Sequence, residues 1–182
     1  MLELYIPPIE GWDESKNEFV KFEGRKLTLE HSLVSLSKWE SKWHKPFLTK
    51  EPMSPEETID YIRCMTITQN VDSEVYQYLT AKNMEEVKDY IQNPMTATTF
   101  REGIEKQGRI NNEQITSELI YYWMTVLQIP SKYEKWHLNR LITLIRICNI
   151  KNQPPKKIGK RAQINQYAAL NEARRKQFNT KG

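Results

Sequence analysis

Glycine is scarce in this chain, at 6 of 182 residues, about half the usual share. Few glycines mean few tight turns and little material for phosphate-cradling loops, and they favour helix over a many-stranded sandwich. No G-x-x-x-x-G-K-[ST] and no G-x-G-x-x-G occurs, so neither nucleotide-loop chemistry is suggested. Cysteine is scarcer still. Cys64 and Cys148 cannot build a disulfide framework and read as two buried thiols in a reducing compartment. No apolar run approaches the roughly 20 residues of a membrane span. The opening MLELYIPPIE lacks a basic segment and a cleavage site, so no secretory leader is expected and the chain reads as soluble and cytoplasmic. Apolar residues amount to 38% and the mean hydropathy is −0.72, which calls for a compact core under helices with wet outer faces.

A catalytic constellation is equally absent from the sequence. His31, His44 and His137 lie far apart, next to no motif that would organise a nucleophile. His44, Cys64, His137 and Cys148 lack the paired spacing of zinc ligands. The acidic pairs Glu56-Glu57 and Glu85-Glu86 fall in first helical turns, where the helix dipole explains them. The expectation is a protein that is not an enzyme and holds no cofactor or metal.

Charge is distributed unevenly. Residues 151–182 carry nine Lys/Arg and one acid, Glu172, a net +8, whereas the first 150 residues carry 18 positive and 22 negative charges. A weakly acidic body thus ends in a strongly basic tail, suited to an acidic protein surface or, less well, to phosphates. Tyr167 and Phe178 are its only aromatics, too few for a base-stacking platform, so nucleic acid ranks behind protein as its target.

The pattern along the chain is mainly α. Residues 1–29 are the exception: Leu2, Leu4 and Ile6 alternate up to Pro7-Pro8, and Phe19–Phe22 and Lys26–Leu29 flank Gly24, which predicts a β-hairpin turning at Gly24. Such a hairpin must lie on helices to be stable. Ser32 then caps a helix to Trp43, ended by Lys45-Pro46, and Ser54-Pro55-Glu56-Glu57 is a capping box opening a helix to about Met65. Asp72 and Asn83 are the expected caps of two shorter helices, one with Val75, Tyr76 and Leu79, the other with Met84, Val87, Tyr90 and Ile91. Residues 94–111 read as a polar connector or a short helix of low stability. Further on, Ile115, Leu119, Trp123 and Val126 predict the buried stripe of one helix. His137, Leu141, Leu144, Ile145 and Cys148 predict that of a second, joined by a short link at Pro130 as an antiparallel hairpin. The division expected is a compact domain over 1–151 (hairpin 1–29, helical body 30–151) and a basic helical or disordered tail over 152–182.

The tryptophans and the tail supply the candidate contact residues. Trp39, Trp43 and Trp136 are either core or anchors of an aromatic groove that takes a partner's helix; Lys156, Lys157, Arg161, Arg174 and Arg175 are the basic contacts of the tail.

Several strings are distinctive: LEHSLVSLSKWESKWHKPFL (Leu29–Leu48), DYIRCMT (Asp60–Thr66), PMTATT (Pro94–Thr99), IYYWM (Ile120–Met124), KWHLNRL (Lys135–Leu141) and ALNEARR (Ala169–Arg175). Together they resemble the tail assembly chaperones of tailed bacteriophages and prophages, over nearly the whole chain. The resemblance implies a non-catalytic factor of the host cytoplasm that binds the long tape measure protein and keeps it soluble during tail morphogenesis. The tail tube protein and further copies of the chain would be additional partners; many such chaperones also have a longer form made by ribosomal frameshifting. The alternatives are a neck or tail completion protein that stays in the virion and, behind it, a DNA-binding regulator using the basic tail.

Overall fold

A computed structural model describes residues 1–13, 17–49, 51–100, 114–152 and 160–178. The fold is mainly α with a small N-terminal β-ribbon, and the chain divides into two units, Met1–Asn149 and Ile150–Gly182. No helix among the described residues is long and apolar enough to cross a membrane.

The ribbon consists of β1 (Leu2–Ile6), β2 (Ile9–Asp13), β3 (Glu18–Phe22) and β4 (Arg25–Leu29), and its pairing corrects the sequence expectation. β2 pairs with β3 and β1 with β4, both antiparallel, so Gly24 is not the hairpin turn. The outer ladder ends at Ile6↔Arg25 and the inner one starts at Ile9↔Phe22, which keeps one register across the gap. Pro7 and Pro8 cause the gap, because neither has an N–H to donate. Gly24 faces this break with φ +79°, and a Cβ there would sit 2.9 Å from the Pro8 nitrogen and 3.0 Å from the Ile6 carbonyl oxygen. Glycine is needed for a close backbone approach rather than for a reversal. The open edge of β4 is covered by the strand-like stretch after the second helix, where the Ile67 N–H donates to the Thr28 carbonyl at 2.8 Å.

Helices α1 (Leu33–Trp43) and α2 (Pro55–Met65) start where the caps predict. The Ser54 hydroxyl accepts from the Glu57 N–H at 3.1 Å, and the Glu57 carboxylate accepts from the Ser54 N–H at 2.8 Å. α1 stops at His44, in the left-handed region at φ 53°, ahead of Pro46. Asp72 precedes a short 3₁₀ turn, Ser73–Tyr78, without bonding to it through its side chain. α3 (Ala81–Gln92) is capped by Thr80, not Asn83: Asn83 is the third helical residue, and its amide closes the capping box and also donates to the Tyr5 carbonyl at 2.9 Å. The nominal cap residue therefore also fastens α3 to the ribbon.

α4 (Ser117–Val126) begins at Thr116, and its buried residues are Ser117, Ile120 and Met124; Ile115 and Val126 are exposed. The expected stripe is thus rotated: Ile120 and Met124 face Leu33 and Leu36 of α1 as well as Leu138, Leu141 and Ile145 of the next helix. α5 (Leu138–Asn152) follows a 3₁₀ turn, Ser131–Lys135, so the link is longer than Pro130 alone implies. α6 (Lys160–Phe178) lies in the second unit.

Two apolar clusters meet along α1. Leu4, Ile6, Leu27 and Leu29 of the ribbon pack with Tyr61, Ile62 and Met65 of α2, Val87 and Tyr90 of α3, and Trp39. Leu33 and Leu36 instead join Ile120 and Met124 of α4 and Leu138, Leu141 and Ile145 of α5. The two thiols are half-buried, not buried as expected. Cys64 flanks the Tyr61–Ile62–Met65 stripe, and Cys148 lies beyond the last core residue of α5, Ile145.

Candidate functional site

The three candidate tryptophans have three different fates. Trp39 is 2% exposed, donates its indole N–H to the Glu57 carbonyl at 3.0 Å and meets Phe47 and Tyr61 edge-on; it is core and cannot anchor a partner. Trp136 is half-buried, stacked on Tyr133 at 4.1 Å with the Arg140 guanidinium 4.1 Å from its ring. Trp43 is also half-buried, stacks on Trp39, and donates to Asp60 Oδ2 at 2.9 Å.

Trp43 and Asp60 belong to a polar clasp between the end of α1 and one face of α2. Lys42 bonds Asp60, and Lys45 Nζ lies 2.5 Å from Glu57 Oε1. Burial pushes the Asp60 carboxyl up, but hydrogen bonds from Lys42 and Trp43 outweigh it and hold the group below its ordinary value. The Lys45 hydrogen bond, followed by the Ser54 backbone bond, holds Glu57 down in the same way.

Beside this clasp runs a trough across α2. At one end a concavity of about 410 Å³ is lined by Lys42, Trp43, Ile59, Asp60, Arg63 and Gln77. Ile59 and Gln77 also line the next, about 380 Å³, with Tyr76, Leu79, Met53 and Met84. Met53, Thr58 and Met84 pass it on to a groove of about 840 Å³ between α2 and α3, whose walls are Phe47, Ile62, Val87 and Ile91. Its floor is apolar, its rim carries Glu85, Lys88 and Gln92, and two methionines stand at the junction. Methionine side chains repack readily around different apolar partners. The sequence reading found Trp43 at one end but missed the rest. Met84, Val87 and Ile91 were legible as the apolar face of α3, but nothing in their spacing says that this face is only partly covered.

A second cluster lies where the two cores meet. The Leu138 N–H donates to the His31 carbonyl at 2.7 Å, which brings His137 beside His31 with ring centroids 5.0 Å apart. The Tyr61 hydroxyl lies 2.5 Å from His31 Nδ1. His137 Nε2 donates to the Tyr90 carbonyl at 3.0 Å, which leaves Nδ1 as the bare acceptor of the neutral ring, buried and without a partner. Burial, followed by the neighbouring His137, lowers the His31 pKa from 6.5 to about 3; burial also lowers that of His137. Both rings are uncharged at neutral pH. Their packing explains them without a chemical role.

The basic candidates fall in the second unit. Lys156 and Lys157 lie outside the described residues. Arg161 is in the first turn of α6, and Arg174 and Arg175 are exposed near its end, one turn from the apolar Leu170 and Phe178. The tryptophans belong to the first unit and these arginines to the second. Two exposed aromatics were not among the candidate contact residues: Trp12, 59% exposed, and Phe19, 63%, face one another across β2 and β3. A β-strand segment of alternating pattern was legible around Phe19, but without the pairing nothing joined Trp12 to it.

No protein-family model, curated protein or solved structure matches the chain.

Proposed function

We propose that this chain is a binding module that shelters an amphipathic helix, and that its ligand is a segment of a tape measure protein, as in a phage tail assembly chaperone. The observation that carries the reading is the continuous apolar trough from Trp43 to Ile91, with Met53 and Met84 at its middle. A helix lying in a groove presents anchors at i, i+3/i+4 and i+7, a span of about 10 Å, and buries them against adaptable apolar walls. The sequence strings that resemble tail assembly chaperones supply the identity of the ligand. A long helical rod with apolar stripes aggregates unless covered, and a groove-bearing subunit bound in many copies covers it. The role requires no bond-making group.

Co-expression tests this. A phage tape measure protein co-expressed with this chain should gain soluble yield in its presence and co-elute with it in gel filtration. Met84→Asp and Met53→Asp, at the half-buried and exposed lips of the trough, should abolish the gain while leaving the melting temperature of the free chain within a few degrees. A tape measure protein that stays insoluble with or without the chain would overturn the reading; recovery of the chain from purified virions would replace it with a neck or tail completion role.

A further inference from the structure

The β2–β3 half of the ribbon carries a four-residue array that matches itself. Glu10 and Lys21 are Cα partners on neighbouring strands, as are Trp12 and Phe19, and the two rungs are two residues apart, so all four side chains share one face. Lys21 and Glu10 form an ion pair at 2.9 Å with both side chains more than half exposed. Trp12 and Phe19 are among the most exposed large apolar side chains of the first unit. Such a cross-strand aromatic pair helps hold the ribbon together, and it leaves the outer faces of both rings free for a contact.

We infer that this face is a contact between two copies of the chain. A two-fold axis running along the ribbon, midway between two stacked faces, exchanges β2 with β3 without changing the rung. It lays Glu10 of one copy over Lys21 of the other and Lys21 over Glu10, while Trp12 meets Phe19 twice. Charge and shape are therefore complementary under a single operation, the requirement of an isologous interface. Other two-fold arrangements lack this match: an axis normal to the strands would set the charged rung of one copy over the aromatic rung of the other. The area is small. Four rings burying on the order of 100 Å² each give well under the roughly 1,000 Å² of a stable dimer, so the contact is weak and transient. Copies gathered side by side on one rod would be held by it, through raised local concentration rather than strong pairwise affinity.

Sedimentation velocity of the full chain from micromolar to millimolar concentration tests the proposal. The sedimentation coefficient should rise toward a dimer, and the double variant Trp12→Ser/Phe19→Ser should remain monomeric throughout while keeping the helical circular dichroism of the parent. Glu10→Lys and Lys21→Glu should each weaken association at least fivefold alone, because like charges then face each other across the axis. Mixed in equal amounts they should recover it, since the lysine-rich face of one meets the glutamate-rich face of the other. A parent chain that stays monomeric at millimolar concentration overturns the proposal, as does association that survives Trp12→Ser/Phe19→Ser or a mixture no better than its components. Met53 and Met84 lie outside this face, so the variants that test the trough should associate normally.

Discussion

Acid should loosen this protein well above the range in which carboxylates titrate, and His31 is the reason. Its imidazole is almost completely buried, 2.5 Å from the Tyr61 hydroxyl, with His137 on another side, and its pKa is near 3 rather than 6.5. The unfolded chain therefore takes up the proton first as pH falls, and stability, complete above about pH 6.5, declines below it down to the folded value. For these two values the loss is about 2 kcal/mol at pH 5 and about 3 kcal/mol at pH 4, before His137, shifted in the same direction, adds its share. Against a typical total of 5–15 kcal/mol that is a large fraction. Urea titrations at pH 7 and pH 5 should show the midpoint falling by about 1 M for a chain of this size. His31→Asn offers its carbonyl oxygen to the Tyr61 hydroxyl and cannot take a proton. It should cost some stability at pH 7 but make the decline between pH 7 and 5 shallower. An unchanged midpoint over that interval, or the same decline in His31→Asn, would refute the argument. Below pH 4.5 a second decline should follow as Glu57 and Asp60, both held down by lysine partners, are protonated and their contribution is lost.

Gly24→Ala should lower stability by about 2–3 kcal/mol, since it combines a left-handed backbone with a 2.9 Å approach to the Pro8 backbone, measured by the denaturation midpoint. Ser54→Ala should cost roughly 1 kcal/mol by removing the hydroxyl that accepts from Glu57 N–H; no change would mean that the α2 cap contributes nothing. Glu40 is buried, and its two carboxylate oxygens accept from the Phe47 N–H at 2.8 Å and the Ser117 N–H at 2.7 Å, tying the loop after α1 to the start of α4. Glu40→Ala leaves both donors unpaired and should cost about 3 kcal/mol, with Glu40→Gln in between; equal stability of all three would show that water replaces the carboxylate.

Local signals read well wherever one short segment settles the outcome. Ser32 and Ser54 start their helices because the cap and the groups it satisfies lie within four residues, and Pro7-Pro8 ends a strand because proline lacks the donor in any context. The mainly α character and the alternating N-terminal segment follow from the same short-range chemistry. What failed needed a partner from elsewhere in the chain. Gly24 looks like a turn, yet β4 pairs with β1, because burying Leu4 and Ile6 against Leu27 and Leu29 on the helices rewards the wider loop. Asn83 looks like a cap, yet its amide is drawn to Tyr5, 78 residues away. The stripe of α4 is turned toward Ile120 and Met124 because α1 presents Leu33 and Leu36 there. For the candidate site the division is the same. Aromatic content showed that large side chains were available, but whether Trp39 is core and Trp12 is surface depends on which elements fold over each ring, and that is decided by long-range packing.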